Sequence, residues 1–131
     1  MGFAASAFHN VRSIALPRSL ALVQISQFVA LEPPKGVLER QALAGTVDDL
    51  MCRLRGDLWR LGHGALCRLV CSLSKLRAFD GQLLREAAAE ASARAADLEP
   101  RQSTGFLWAF SRWAWAFHYM PSGLALGRMR S

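Results

Sequence analysis

Three short pieces of the chain share one order of apolar and polar positions. Ile25-Ser26-Gln27-Phe28, Leu73-Ser74-Lys75-Leu76 and Phe110-Ser111-Arg112-Trp113 each run apolar, serine, long polar, large apolar. The serines are offset by 48 and then by 37 residues. A period of about 20–50 residues marks stacked supersecondary units. The flanks extend the match. Positions i, i+4 and i+7 are apolar in every copy: Ala21, Ile25 and Phe28; Leu69, Leu73 and Leu76; Phe106, Phe110 and Trp113. A second row adds Leu22, Val70 and Leu107. That spacing is one face of an α-helix.

Each of these helices is followed by a break: Glu32-Pro33-Pro34-Lys35-Gly36, then Phe79-Asp80-Gly81, then Pro121-Ser122-Gly123. Proline and glycine punctuate there for backbone reasons. A second helix then follows, clearest over residues 82–97, which are rich in strong helix formers. Pro100 suits the first turn of the next helix, where its missing N–H costs nothing. In the longer first unit, Gly45 is expected to break the second helix. Thr46 and Asp49 then resemble a capping box for a new helix to about Leu61. Residues 124–131 read as the start of a third second-helix. The predicted fold is all-α, an α-solenoid of about two and a half helix-turn-helix units over residues 19–63, 64–98 and 99–131. Residues 1–18 read as a targeting or flexible segment.

Composition supports helix, since alanine, leucine and arginine dominate and β-branched residues are few. The net charge of +6 and a pI near 10.2 point to nucleic acid or an anionic surface and leave the fold open. The aromatic stretch 106–120 is not read as a membrane span, because Arg112 sits within it and Pro121 ends it. The three cysteines are too few and too uneven for a secreted disulfide framework, which favours a reducing compartment. His63, Cys67 and Cys71 recur every four residues, but a structural zinc wants four ligands, so no metal or cofactor is expected. The chain has no glycine-rich phosphate loop and no nucleophile elbow, and no enzyme is predicted. No acid precedes Glu32, while Arg12, Arg18 and several serines do. Such a start fits an organellar transit peptide.

The run Phe106-Leu107-Trp108-Ala109-Phe110-Ser111-Arg112-Trp113 behind Pro100, and more weakly residues 68–76 and 21–28, resemble the first-helix signature of the octotricopeptide and heptatricopeptide repeats. These are FAST-kinase-like organellar RNA-binding families. Trp113 stands where leucine is usual, the first unit is too long, and no RAP-type domain follows. The resemblance implies an α-solenoid that binds RNA or belongs to an organellar ribonucleoprotein, in a mitochondrion or plastid.

One position before the apolar row lies a second stripe. Its polar members are Gln24 and Gln27, then Arg68, Ser72 and Lys75, then Arg112. Stacked units would line up Gln27, Lys75 and Arg112, a row able to hold single-stranded RNA through phosphates or by stacking. A polar stripe is also what a solvated helix face looks like. Arg53, Arg55 and Arg60 read either as a second basic patch or as partners of Asp49 and Asp57. Two functions therefore stand side by side. One is an RNA-binding repeat protein. The other is a protein-interaction scaffold, its partner or a second copy held through the aromatic C-terminal unit.

Overall fold

A computed structural model describes residues 2–119 and 127–130 of the chain. The fold is all-α apart from one short strand pair. The helices are α1 (Gly2–Leu31), α2 (Gly36–Leu54), α3 (His63–Leu76), α4 (Gly81–Ala93) and α5 (Pro100–Tyr119). Single 3-10 turns, Leu58–Arg60 and Ala95–Asp97, follow α2 and α4. Strand β1 (Ala78–Asp80) lies parallel to β2 (Gly127–Arg130).

The most extensive helix contacts are α1 with α3 and α3 with α5, so the three helices that carry the repeated motif form one layer with α3 in the middle. Helix α2 packs on α1, and α4 packs on α5. The core gathers Leu22 from α1, Met51 and Leu54 from α2, Leu66 to Leu76 from α3, Leu83 and Ala87 from α4, and Phe106 and Trp113 from α5. Trp113 is the largest side chain fully buried there.

Small residues let the layer helices approach one another. On α1 the buried stripe is Ala15, Ser19, Leu22 and Ser26, spaced as one helix face. On α5, a Cβ at Gly105 would lie 2.7 Å from Cys67 Sγ and 3.5 Å from Cys71 Sγ of α3. Cys67 and Cys71 point their thiols at the carbonyls of Gln102 and Gly105, with Sγ to O distances of 3.6 and 3.4 Å. Interaxial distance is set by the side chains at the contact, and here they are serine, alanine, cysteine and glycine.

The buried face of α1 is thus not the expected row. Phe28 is 66% exposed and Ala21 and Ile25 are half-buried, while Leu22 and the two serines are covered. The row is buried throughout in α3, which has neighbours on both sides, and nearly so in α5. Helix α1 sits at the edge of the layer and turns its small residues, rather than its large ones, inward. Leu107 of the second row is also outside, at 71% exposure.

Further expectations are corrected. Gly45 does not break α2, which runs unbroken from Gly36 to Leu54. The Thr46 hydroxyl donates back to the Ala42 carbonyl at 3.1 Å instead of capping a new helix. A mid-helix glycine costs only about 1 kcal/mol, and burial of Val47, Met51 and Leu54 on the following turns outweighs that. The chain then turns at Gly56, whose φ of 82° is a conformation glycine adopts freely. Residues 127–130, expected within a third second-helix, are extended and pair with β1. The Pro121-Ser122-Gly123 break lies outside the described residues. Helix α1 continues from Gly2 through Pro17 to Leu31, so the expected boundary after residue 18 is not a break in the helix.

The remaining helix ends fit their sequences. Asp80 is 2% exposed. Its Oδ1 accepts from the backbone N–H groups of Gln82 at 3.0 Å and Leu83 at 3.1 Å, an N-cap for α4. Its Oδ2 takes the Arg55 guanidinium. That hydrogen bond holds the Arg55 pKa above its ordinary value. Arg94, at the end of α4, reaches the Leu58 and Trp59 carbonyls at 3.5 and 3.2 Å and ties the 3-10 turn to α4.

Candidate functional site

The site is the outer face of the α1–α3–α5 layer. Because α3 is flanked by α1 and α5 and covers the core beneath, its exposed residues between those contacts open on that face. They are Gly64, Arg68 and Lys75. On α5, Arg101, Thr104, Trp108, Arg112 and Trp115 are all exposed, and their spacing of three or four places them on one stripe. On α1, Leu16, Leu20, Gln24 and Gln27 are exposed and lie opposite the buried Leu22.

Of the six residues expected to contact RNA, Gln24, Gln27, Arg68, Lys75 and Arg112 are exposed. Ser72 is not. It is 7% exposed, on the flank of α3 away from Cys67 and Cys71, where a small hydroxyl fits a close helix contact and a long side chain would not. It is removed from the candidate stripe.

Arg112 is held in place. Its Nε donates to Ser74 Oγ at 3.1 Å, across the α3–α5 seam, and its guanidinium carbon stands 5.1 Å from the centre of the Trp108 ring. Ser74 is fully buried. A guanidinium fixed between a seam hydroxyl and an indole has lost much of its rotamer freedom before any ligand arrives.

The other arginine cluster is not a patch. Arg53 pairs with Asp49 at 2.9 Å, Arg60 with Asp57 at 3.6 Å and stacks on Trp59, and Arg55 pairs with Asp80. Arg18 donates to the Arg53 carbonyl at 3.3 Å and so lies toward α2 rather than on the outer face.

Sequence reasoning missed how the charge is divided. The helices α1, α3 and α5 contain Arg12, Arg18, Arg68, Lys75, Arg101 and Arg112 and no aspartate or glutamate. The rest of the chain holds ten basic and ten acidic residues, so the whole net charge of +6 resides on the layer helices. Counting acids helix by helix would have found it.

Cys67 and Cys71 face the α3–α5 seam and Cys52 is exposed; all are free thiols. Burial raises the pKa of both seam thiols, that of Cys71 to about 11 with help from its neighbour Cys67. Thiols so poised are packing groups, not nucleophiles. Among the described residues no cluster of histidine, cysteine and acidic side chains could hold a metal ion, and no helix is long and apolar enough to cross a membrane.

The fold and this face define a class: an all-α layer protein that concentrates positive charge and exposed indoles on one side. Comparison with family models, with curated proteins and with solved structures finds no match to the chain.

Proposed function

We propose that the chain binds single-stranded RNA on the outer face of α3 and α5, acting by binding and not by catalysis. The observation that carries this reading is the acid-free layer bearing Arg68, Lys75, Arg101 and Arg112 around Trp108 and Trp115. Cations track phosphates, and indoles offer stacking platforms to bases of any sequence. With Nε engaged by Ser74, the terminal amino groups of Arg112 are the ones a phosphate would take. Gln24 and Gln27 on α1 would extend the track with neutral donors. The resemblance of residues 100–113 to organellar RNA-binding repeats points the same way. It adds stacking of units as a solenoid, a place in a ribonucleoprotein, and a mitochondrion or plastid as the compartment.

A scaffold function without RNA contact draws on a different observation, the exposed apolar side chains around the α1–α2 turn. The deciding experiment is titration of the purified chain against fluorescent single-stranded RNA at several salt concentrations. Lys75→Ala/Arg112→Ala is run beside it. Affinity should fall with salt, and the double variant should flatten the log–log slope by roughly two, about one for each phosphate contact. A chain that remains helical and binds no RNA at low salt refutes the proposal.

A further inference from the structure

We infer that one base of the bound strand stacks on the side of Arg112 turned away from Trp108, and that this subsite prefers a purine. The inference rests on the RNA-binding reading above and deepens it. A guanidinium is planar, and its edge and its faces do different work: the N–H groups of the edge donate hydrogen bonds, and the faces stack. For Arg112 part of each is already engaged. Nε donates to Ser74 Oγ at 3.1 Å, and the guanidinium carbon lies over the Trp108 ring, 5.1 Å from its centre. The terminal amino groups remain on the edge, and the side beyond the indole remains for a stack.

Both anchors are themselves held. Ser74 is fully buried in the α3–α5 seam. Trp108 lies one turn before Arg112 on the same helix, at the spacing where helical side chains meet. Arg112 is nonetheless exposed, so the column that begins at Trp108 is open at its Arg112 end. A base placed there meets a flat cation whose rotamer freedom is already spent, with an indole behind it. Stacking of an unpaired base on a guanidinium plane is a recurrent mode of RNA recognition. The terminal amino groups can still take a phosphate, because that contact lies in the guanidinium plane and the stack lies across it.

A second pair in the chain shows what sets Arg112 apart. Arg60 lies over Trp59, 4.8 Å from the ring centre, but its charge is met by Asp57 at 3.6 Å. Arg53, Arg55 and Arg94 likewise each pair with a carboxylate. The partners of Arg112 are a hydroxyl and an indole, both neutral, so its charge stays available to a ligand. A purine covers more of the guanidinium than a pyrimidine does, and stacking strength is a source of base preference on surfaces that bind single strands.

Two fluorescent uridine tracts test this, one uniform and one with a single central adenosine, titrated at several salt concentrations. The wild-type chain should bind the adenosine tract about fivefold tighter. Arg112→Lys keeps the charge for the phosphate and removes the plane. With unchanged circular dichroism it should keep the wild-type salt slope and bind the two tracts within about twofold of each other. Arg60→Lys, at the pair already matched by Asp57, should keep the adenosine gain. A wild-type chain that binds both tracts equally, with an affinity that falls with salt, overturns the inference and leaves the RNA reading standing. A chain that binds neither tract at low salt overturns the RNA reading, and the inference falls with it. An Arg112→Lys chain that retains the gain, or an Arg60→Lys chain that loses it, puts the base elsewhere and overturns the inference as well.

Discussion

Gly105 of α5 lies close against Cys67 and Cys71 of α3, and replacing it by alanine sets two effects of similar size against each other. The new Cβ removes the helix cost of glycine, a gain of about 1 kcal/mol. It also arrives 2.7 Å from Cys67 Sγ and 3.5 Å from Cys71 Sγ. Cys67 can retreat only by changing χ1, which a helix restricts to two staggered wells. Overpacking of this kind costs about 1–3 kcal/mol. The clash should win, with a net loss of about 1 kcal/mol and a fall in Tm of roughly 4 °C. In a Cys67→Ala background the nearer sulfur is gone, and the same Gly105→Ala change should now stabilise by up to about 1 kcal/mol. The two positions are then coupled by about 2 kcal/mol, well outside the additivity of independent sites. Urea denaturation of the four chains of the cycle, followed by circular dichroism, measures the coupling. If Gly105→Ala stabilises the wild type as much as it stabilises the Cys67→Ala chain, the close seam is refuted.

Asp80 should be the most sensitive single polar position. Asp80→Ala removes the α4 cap and leaves Arg55 without its carboxylate, a combined cost of about 3 kcal/mol; Asp80→Asn keeps an N-cap and should recover about 1 kcal/mol of it in the same denaturation assay. Cys71 gives a pH dependence. Its pKa is raised in the folded chain to about 11 from 9.0, so below pH 9 the thiol is neutral in both states and the packing contribution is complete. Between pH 9 and 11 the unfolded chain ionises first and stability falls. Cys71→Ala should flatten that part of the stability–pH curve, and an unchanged curve would show that the thiol is not buried at the seam.

The layer helices were legible because their apolar positions recur at i, i+4 and i+7 and because Pro33, Pro34 and Gly36 mark the end of α1. What the sequence hid was which face of an edge helix turns inward. Phe28 stands on the expected apolar row and is exposed, while Ser19 and Ser26 lie off that row and are buried. Hydrophobicity ranks residues by transfer energy, but a close helix contact selects by size, and a serine can satisfy its hydroxyl on its own backbone. The same rule hid Ser72. Gly45 misled for the opposite reason, since its local cost was smaller than the burial on the following turns. The stripe of Gln24, Gln27, Arg68, Lys75 and Arg112 could be written down from the repeat alone, and the structure adds the Ser74 and Trp108 contacts that fix Arg112.

Close packing of the layer and its charge bear on each other. Helices about 8–10 Å apart bring cations on adjacent outer stripes within about one Debye length at physiological salt. Two such charges about 9 Å apart repel by about 0.5 kcal/mol at water's dielectric. The chain has a ready remedy and uses it elsewhere: Arg53–Asp49, Arg60–Asp57 and Arg94–Glu90 pair at spacings of three or four outside the layer helices. No acid is placed at those spacings from Arg68, Lys75, Arg101 or Arg112 within their own helices. Stability alone would favour adding them, and under the proposed function the negative charge comes from the ligand instead. Binding a polyanion there should both relieve the repulsion and raise the unfolding temperature, with a stabilisation that grows as the logarithm of free ligand above its Kd. A polyanion that binds yet leaves the melting temperature unchanged would show that the charge lies elsewhere than on the folded layer.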